Sequence, residues 1–300
     1  MNDLGTILGD GFDTWKRNLN LCIPFVLEQV LFWVAMIIIF LVIFVTALAP
    51  LIPYLENIGS NPSFEDFLWA EELIAPYIVL FVIGLIVMTV LFLLIDAFIW
   101  AGAIGMAKRA IETGESTIRD MFEYGMRHFL SVLASNIIIA ILSMLGFIAL
   151  IPGILVISTS EAAGVMLLIF GFLVMFLYLI FIAFSLYLAR FAIVVDDVGA
   201  IEGIKRSYSV FSSNKLDLFL LAVIMVAVIF VIEIPYMILL MIVSPIPVIG
   251  SIFQVILQIG FSLIVMPLVI ALITVWLTMF YIDRKSGIKN KIPPDQLSVI

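Results

Sequence analysis

Reactive side chains are scarce in this chain. Its 300 residues include one cysteine, Cys22, and one histidine, His128. A lone cysteine excludes an intramolecular disulfide, and with a single histidine it excludes the Cys/His sets that hold structural zinc. Cys22 reads as a small apolar residue near a helix entrance. The HExxH, GxSxG and Walker P-loop patterns are all absent, so the hydrolase and nucleotide chemistries built on them have no foothold. Charge is thin as well. Asp, Glu, Lys and Arg make up 12% of the residues, against roughly 25% in ordinary soluble domains.

Apolar residues fill the space. They account for 65% of the chain, where about 45–50% is usual. They gather in runs at 21–49, 75–105, 129–152, 163–190, 217–243 and 252–282. Each run supplies the roughly 20 residues that a helix needs to cross about 30 Å of hydrocarbon. The expected fold class is therefore all-α: an integral membrane protein with six transmembrane helices in one domain, residues 1–300. Asp3, Asp10 and Asp13 precede the first run, which is too long for a cleaved leader and reads as a retained span. Pro235, Gly260 and Pro267 are expected to kink their spans.

Positive charge is strictly segregated. Lys16 and Arg17 precede span one. Lys108, Arg109, Arg119 and Arg127 lie between spans two and three, and Arg190, Lys205, Arg206 and Lys215 lie at or between spans four and five. Arg284, Lys285, Lys289 and Lys291 follow span six, which completes all 14 Lys and Arg residues. The loops 50–74, 153–162 and 244–251 have none, and carry Glu56, Glu65, Asp66, Glu71, Glu72 and Glu161 instead. The positive-inside rule then places both termini in the cytoplasm of a multi-pass cell-membrane protein, with 286–300 as a cytoplasmic tail. The net charge of −8 says less than this placement. Basic residues so few, all used in setting topology, leave no nucleic-acid surface.

Three of the basic segments look alike. Leu4, Ile7, Leu8, Phe12, Trp15 and Leu19 recur at helical spacing, with Asp3, Asp10, Asp13, Lys16 and Arg17 opposite. Ile118, Met121, Phe122 and Gly125 repeat the pattern, and so do Ile201, Ile204, Tyr208 and Phe211. Such stripes predict interfacial amphipathic helices. Adding 110 to the first segment gives the second and adding 196 gives the third: Leu8, Ile118 and Ile204 coincide, as do Phe12, Phe122 and Tyr208, and Asn18, His128 and Asn214. The expected organisation is a threefold internal repeat, about 1–110, 111–196 and 197–285, with three cytoplasmic interfacial helices. The acidic outer loop 51–74 is an insertion in the first copy. Ser63 followed by Asp66 predicts a short capped outer helix carrying Phe64, Phe67 and Leu68.

The stretch ARFAIVVDDVGAIEGIKRSYSVFSSN, residues 189–214, resembles a signature in a broad group of prokaryotic six-span membrane proteins. That group is related to the membrane-anchor domain fused to some glycerophosphodiester phosphodiesterases. Asp196, Asp197, Gly199, Lys205-Arg206-Ser207-Tyr208 and Asn214 carry the resemblance. It implies a membrane module; the phosphodiesterase activity does not carry over, because no such catalytic domain is present. Read physically, Asp196, Asp197 and Glu202 would sit at the positive start of a helix, with Lys205 and Arg206 reaching toward phosphate.

Within the spans, Glu28, Asp96 and Glu233 are the ionisable candidates, since such residues are costly in lipid. Only Asp96 is plainly central, and none recurs at the other repeat positions. Glu28 could pair with Arg127 or Lys215. Ser131 with Ser135 and Gln254 with Gln258 read as interhelical polar contacts, and the small residues of AGAIGMA (101–107) as a close crossing. His128 reads as a capping or lipid-facing group. The expected function is non-enzymatic and needs no cofactor and no metal. Cytoplasmic amphipathic helices would engage lipid headgroups, anionic ones included, or a cytoplasmic or membrane protein partner, through Lys16, Arg17, Lys108, Arg109, Arg127, Lys205 and Arg206. The alternative is a small transporter or channel for a cation, proton or small solute, using Glu28, Asp96 and Glu233.

Overall fold

A backbone without water must hydrogen-bond to itself, and the helix does so within one segment. The computed structural model describes residues 2–48, 52, 64–246 and 249–289. Its helices are α1 (Leu4–Arg17), α2 (Ile23–Ile43), α3 (Phe64–Thr113), α4 (Ile118–Met144), α5 (Ile151–Val156), α6 (Glu161–Leu186), α7 (Ala189–Asp196), α8 (Ala200–Ser213), α9 (Lys215–Val243), α10 (Ile249–Gly260) and α11 (Met266–Lys289). Six stretches are long and apolar enough to cross a membrane: 19–46, 78–113, 118–156, 161–196, 215–243 and 250–286. The protein is thus all-helical among the described residues, with the six candidate spans that hydropathy predicts.

Local chemistry sets the boundaries. Asp3 caps α1 by accepting the Thr6 amide at 2.8 Å, and Thr117 with Asp120 forms a reciprocal capping box at the start of α4. Asn18 and Asn214 end α1 and α8 with non-helical dihedrals (φ −125°, ψ 59° and φ −137°, ψ 40°). Asparagine leaves helical geometry readily because its amide competes for backbone groups. His128, at the matching position, does not. The second basic segment is therefore not a separate helix: Ile118, Met121, Phe122 and Gly125 occupy the first turns of α4, which runs on unbroken into span three. The expected short outer helix is likewise absorbed, since helix from Phe64 belongs to α3; Ser63 lies outside the described residues. Pro235 is accommodated inside α9, whereas Gly260 precedes a π-helical turn, Phe261–Val265, before Pro267 in α11.

The chain divides into two compact units, 27–96 and 1–26 with 97–300. In the smaller unit Phe32 meets Phe92 edge to face at 5.4 Å. A Cβ added to Gly84 would lie 2.8 Å from Ile43, so glycine there permits a close approach.

In the larger unit the buried core gathers at the basic end. It includes Ile104, Leu188, Phe191, Ile193, Leu277 and Phe280. There spans two and four are each followed by a segment that doubles back along them. Gly102 of α3 abuts the Met121 carbonyl of α4, and Gly203 of α8 abuts Ile193 of α7. Ser207 donates to the Ser185 carbonyl at 2.9 Å. The N-terminal helix closes on the last span in the same way. The Trp276 indole donates to the Leu8 carbonyl at 3.0 Å, Gly11 abuts the same ring, and the Asn2 amide donates to Asp283 at 3.0 Å. Farther from this end the spans are held in pairs. Gly153 abuts Leu168, and Tyr178 donates to the Leu142 carbonyl at 2.7 Å. Tyr236 stacks on Phe261 with centroids 3.9 Å apart. Ile169, Phe170, Phe172, Val231 and Met241 stand exposed.

The candidate site is a set of polar braces at the basic end

Asp196 closes α7, and Asp197 follows in the left-handed region at φ 56°. Asp is among the few residues that tolerate this conformation. The turn sends the two carboxylates to different neighbours. Asp196 accepts from the Tyr281 hydroxyl at 2.6 Å, Arg206 Nη1 at 2.8 Å and Lys285 Nζ at 2.5 Å, joining α7, α8 and α11. Asp197 takes the Arg127 guanidinium of α4, with His128 Nε2 3.6 Å away. Arg206 is further held by Glu202 at 3.0 Å. Partial burial opposes its charge, but the hydrogen bonds to Asp196 and Glu202 outweigh that and bind its proton more tightly than in a free guanidinium.

This arrangement corrects the helix-start reading of the acidic pair. Asp196 sits at the C-terminal, negative end of α7, where a carboxylate is disfavoured. Its three donors compensate. Lys108 completes that end by donating to the Val195 carbonyl at 2.9 Å. Only Glu202 lies in the first turn of α8, which Gly199 precedes as N-cap. Of the remaining signature residues, Ser207 is buried against Ser185 and the Asn214 amide donates to the Val210 carbonyl at 3.0 Å, while Lys205 and Tyr208 stand exposed.

Two further braces stand at related places. Asn18 donates to the Gly114 carbonyl at 3.0 Å and accepts the Ser116 amide at 3.1 Å, while Asn20 donates to the Ser116 carbonyl at 2.5 Å. Arg284, 3% exposed, pairs with Asp217 at 2.9 Å and with Asp283 at 2.6 Å, and donates to the Asn2 carbonyl at 3.0 Å.

The predicted headgroup cations therefore divide. Arg127, Arg206 and Lys108 are engaged within the protein, and Arg127 sits on Asp197. Arg109 lies 3.9 Å from Asp120 at a half-exposed site. Lys16 and Arg17 are exposed on α1, where Arg17 Nε donates to the Asp13 carbonyl at 3.2 Å. Lys205 is exposed on α8, as is Arg119 on α4, with no ion pair to either among the described residues.

Of the intramembrane carboxylates, Asp96 is buried, and Glu28 and Glu233 are half-buried. Glu28 and Asp96 belong to the smaller unit and Glu233 to the larger. Among the described residues no three His, Cys, Asp or Glu side chains group to hold a metal ion. Ser135 donates to its own helix, to the Val132 carbonyl at 2.8 Å. The Arg190 site escaped the sequence reading. Its Nε donates to Asn136 Oδ1 at 3.0 Å and its guanidinium lies 5.2 Å from the centre of the Trp100 ring. The signal was Asn136, an amide within an apolar run.

A family model described as a domain of unknown function (DUF7847) matches residues 28–283, from inside the first span to the end of the sixth. The chain belongs to that family. No curated protein and no solved structure matches it. In this DUF7847 member Asp196, Asp197 and Arg284 join helices through ion pairs.

Proposed function

We propose that the protein is a non-enzymatic, multi-pass cell-membrane protein that organises or anchors at the bilayer, with its basic end and both termini in the cytoplasm. Its helices at that end engage lipid headgroups. One observation carries this reading. On each of the three amphipathic segments the apolar stripe is split between protein and surroundings. Ile7, Met121 and Val210 are buried, while Phe12, Phe122 and Tyr208 remain 44%, 49% and 50% exposed. Aromatic side chains left open beside polar helix faces suit the headgroup level. Helix length supports the placement. The 36-residue span 161–196 would run roughly 54 Å if straight, far beyond about 30 Å of hydrocarbon.

The threefold repeat is part of the same proposal. Burial supports it at matching offsets: Gly11, Met121 and Ser207 are buried, as are Asn18, His128 and Asn214, and Phe25, Ser135 and Leu221. On the even-numbered spans Ile99, Ser185 and Ala271 match, and so do Met106, Ala192 and Thr278. The likeness of residues 189–214 to phosphodiesterase membrane anchors fits a membrane module of this kind.

Site-directed labelling tests the placement. In a Cys22→Ser background, nitroxides at Tyr208→Cys and Phe122→Cys are expected at phosphate depth, and Ser209→Cys is expected to react with an impermeant maleimide from the cytoplasmic side. Ser160→Cys is expected to react from outside. Labels at 208 and 122 that sit in bulk water, or reversed sidedness, overturn the reading.

A further inference from the structure

The split stripe defines more than a depth. Arg119 and Lys205 share one register position, 119 plus 86, and each precedes its aromatic by three residues: Arg119 with Phe122, Lys205 with Tyr208. Residues three apart lie on one helix face. All four side chains are exposed. The contrast with nearby cations is chemical. Arg127, Arg206, Lys285 and Arg284 each hold a carboxylate, whereas Arg119 and Lys205 have no carboxylate partner among the described residues. An unpaired cation beside an open aromatic ring matches the two layers of a phospholipid interface. The ring meets glycerol and upper acyl carbons, and the cation meets phosphate.

We propose that Arg119/Phe122 and Lys205/Tyr208 are two equivalent sites for the phosphate of an anionic phospholipid. This rests on the headgroup-level placement argued above and adds to it the lipid class and the residues. The first repeat provides an internal control. Its aromatic is Phe12, but the register position of the cation is Gly9; Asp10 and Asp13 recur as Asp120 and Glu123 around Phe122, so the control turns on position 9. A Cβ at Gly9 meets nothing within 4 Å, so a longer side chain fits there, and replacing a mid-helix glycine favours the helix.

The test counts phosphatidylglycerol molecules retained by the full-length protein in detergent, by native mass spectrometry, with phosphatidylcholine and inorganic phosphate in parallel. Relative to wild type, Arg119→Gln and Lys205→Gln are each expected to lose one retained lipid, and the double variant two. Affinity should fall about fivefold per removed cation, as expected for one basic residue at an anionic surface. Gly9→Lys is expected to gain one. Phosphatidylcholine and free phosphate should show no such dependence. A double variant that retains wild-type phosphatidylglycerol, or equal retention of phosphatidylcholine, overturns the proposal. So does displacement of the lipid by inorganic phosphate, which would assign the sites to a soluble anion. Thermal melts of each variant guard against misfolding, and Gly9→Lys tests the idea by gain. The labelling experiment reads placement independently, so the lipid sites can fail while the placement stands.

Discussion

Within the larger unit, the two ends of the same spans solve different problems. At the basic end Leu188, Ile193, Leu277 and Phe280 are fully buried, and polar braces tie α4, α7, α8 and α11 together. Toward the other end the helices pair through glycines and a Tyr–Phe stack, leaving Ile169, Phe170 and Phe172 open. On the proposed placement, the difference reflects which solvent each end meets. Apolar side chains gain little by leaving lipid for protein, so spans in hydrocarbon rely on close packing and polar contacts. A dense apolar core capped by ion pairs is what water and headgroups select.

The strongest way to break this comparison is to delete one aromatic at each end. Phe191, 2% exposed, should cost about 3–5 kcal/mol as Phe191→Ala, the usual range for a core aromatic. Phe170→Ala, on the open face, should cost close to nothing, because lipid fills the space. Denaturant unfolding in nanodiscs gives both values. Equal losses would mean that the two ends share one solvent.

The braces allow a finer division. Asp196→Asn leaves Arg206, Lys285 and Tyr281 around a weaker acceptor. The expected loss is about 2–3 kcal/mol, below that of a fully buried pair, because Arg206 and Lys285 keep contact with water. Arg127→Gln removes a pair whose partners are both at least half exposed, so its cost should stay under about 1 kcal/mol and shrink with salt. Were the Arg127 variant the more damaging, Asp197 and not Asp196 would be the node of the signature.

Much of this division was legible before the structure. Hydropathy marks the six spans because about 20 apolar residues in a row admit few other fates, and AGAIGMA marks a close crossing that Gly102 and Gly105 make against α4. The Asp196 node was not legible. Its partners Tyr281 and Lys285 lie 85 and 89 residues away, and helical periodicity reports faces within one segment, not which distant segment covers them. Nor was it legible which face of α8 meets the protein: Gly203, Ser207 and Val210 are buried, while Ile201 and Tyr208 of the apolar stripe stand exposed, because small residues let helices approach closely.

The smallest expected effect lies where the packed end thins out, at the first turn of α1. Hydrogen bonds from Thr6 hold the fully exposed Asp3 carboxyl below the usual carboxylate range. Because the folded value is depressed, this cap contributes above the ordinary range, near pH 4, and is lost as pH falls through the folded value. Hydrogen exchange at Thr6, corrected for intrinsic rates, should therefore quicken between about pH 4 and pH 2 while Leu188 stays protected. Asp3→Asn keeps a capping oxygen without a titrating proton, so it should flatten the acid dependence, and Asp3→Ala should remove protection at every pH. Acid-induced exchange that spread from Thr6 to Leu188 in one step would show that the N-terminal helix is as integral to the packed end as α7. The gradient drawn here between a firm core and a yielding rim would then have no physical basis.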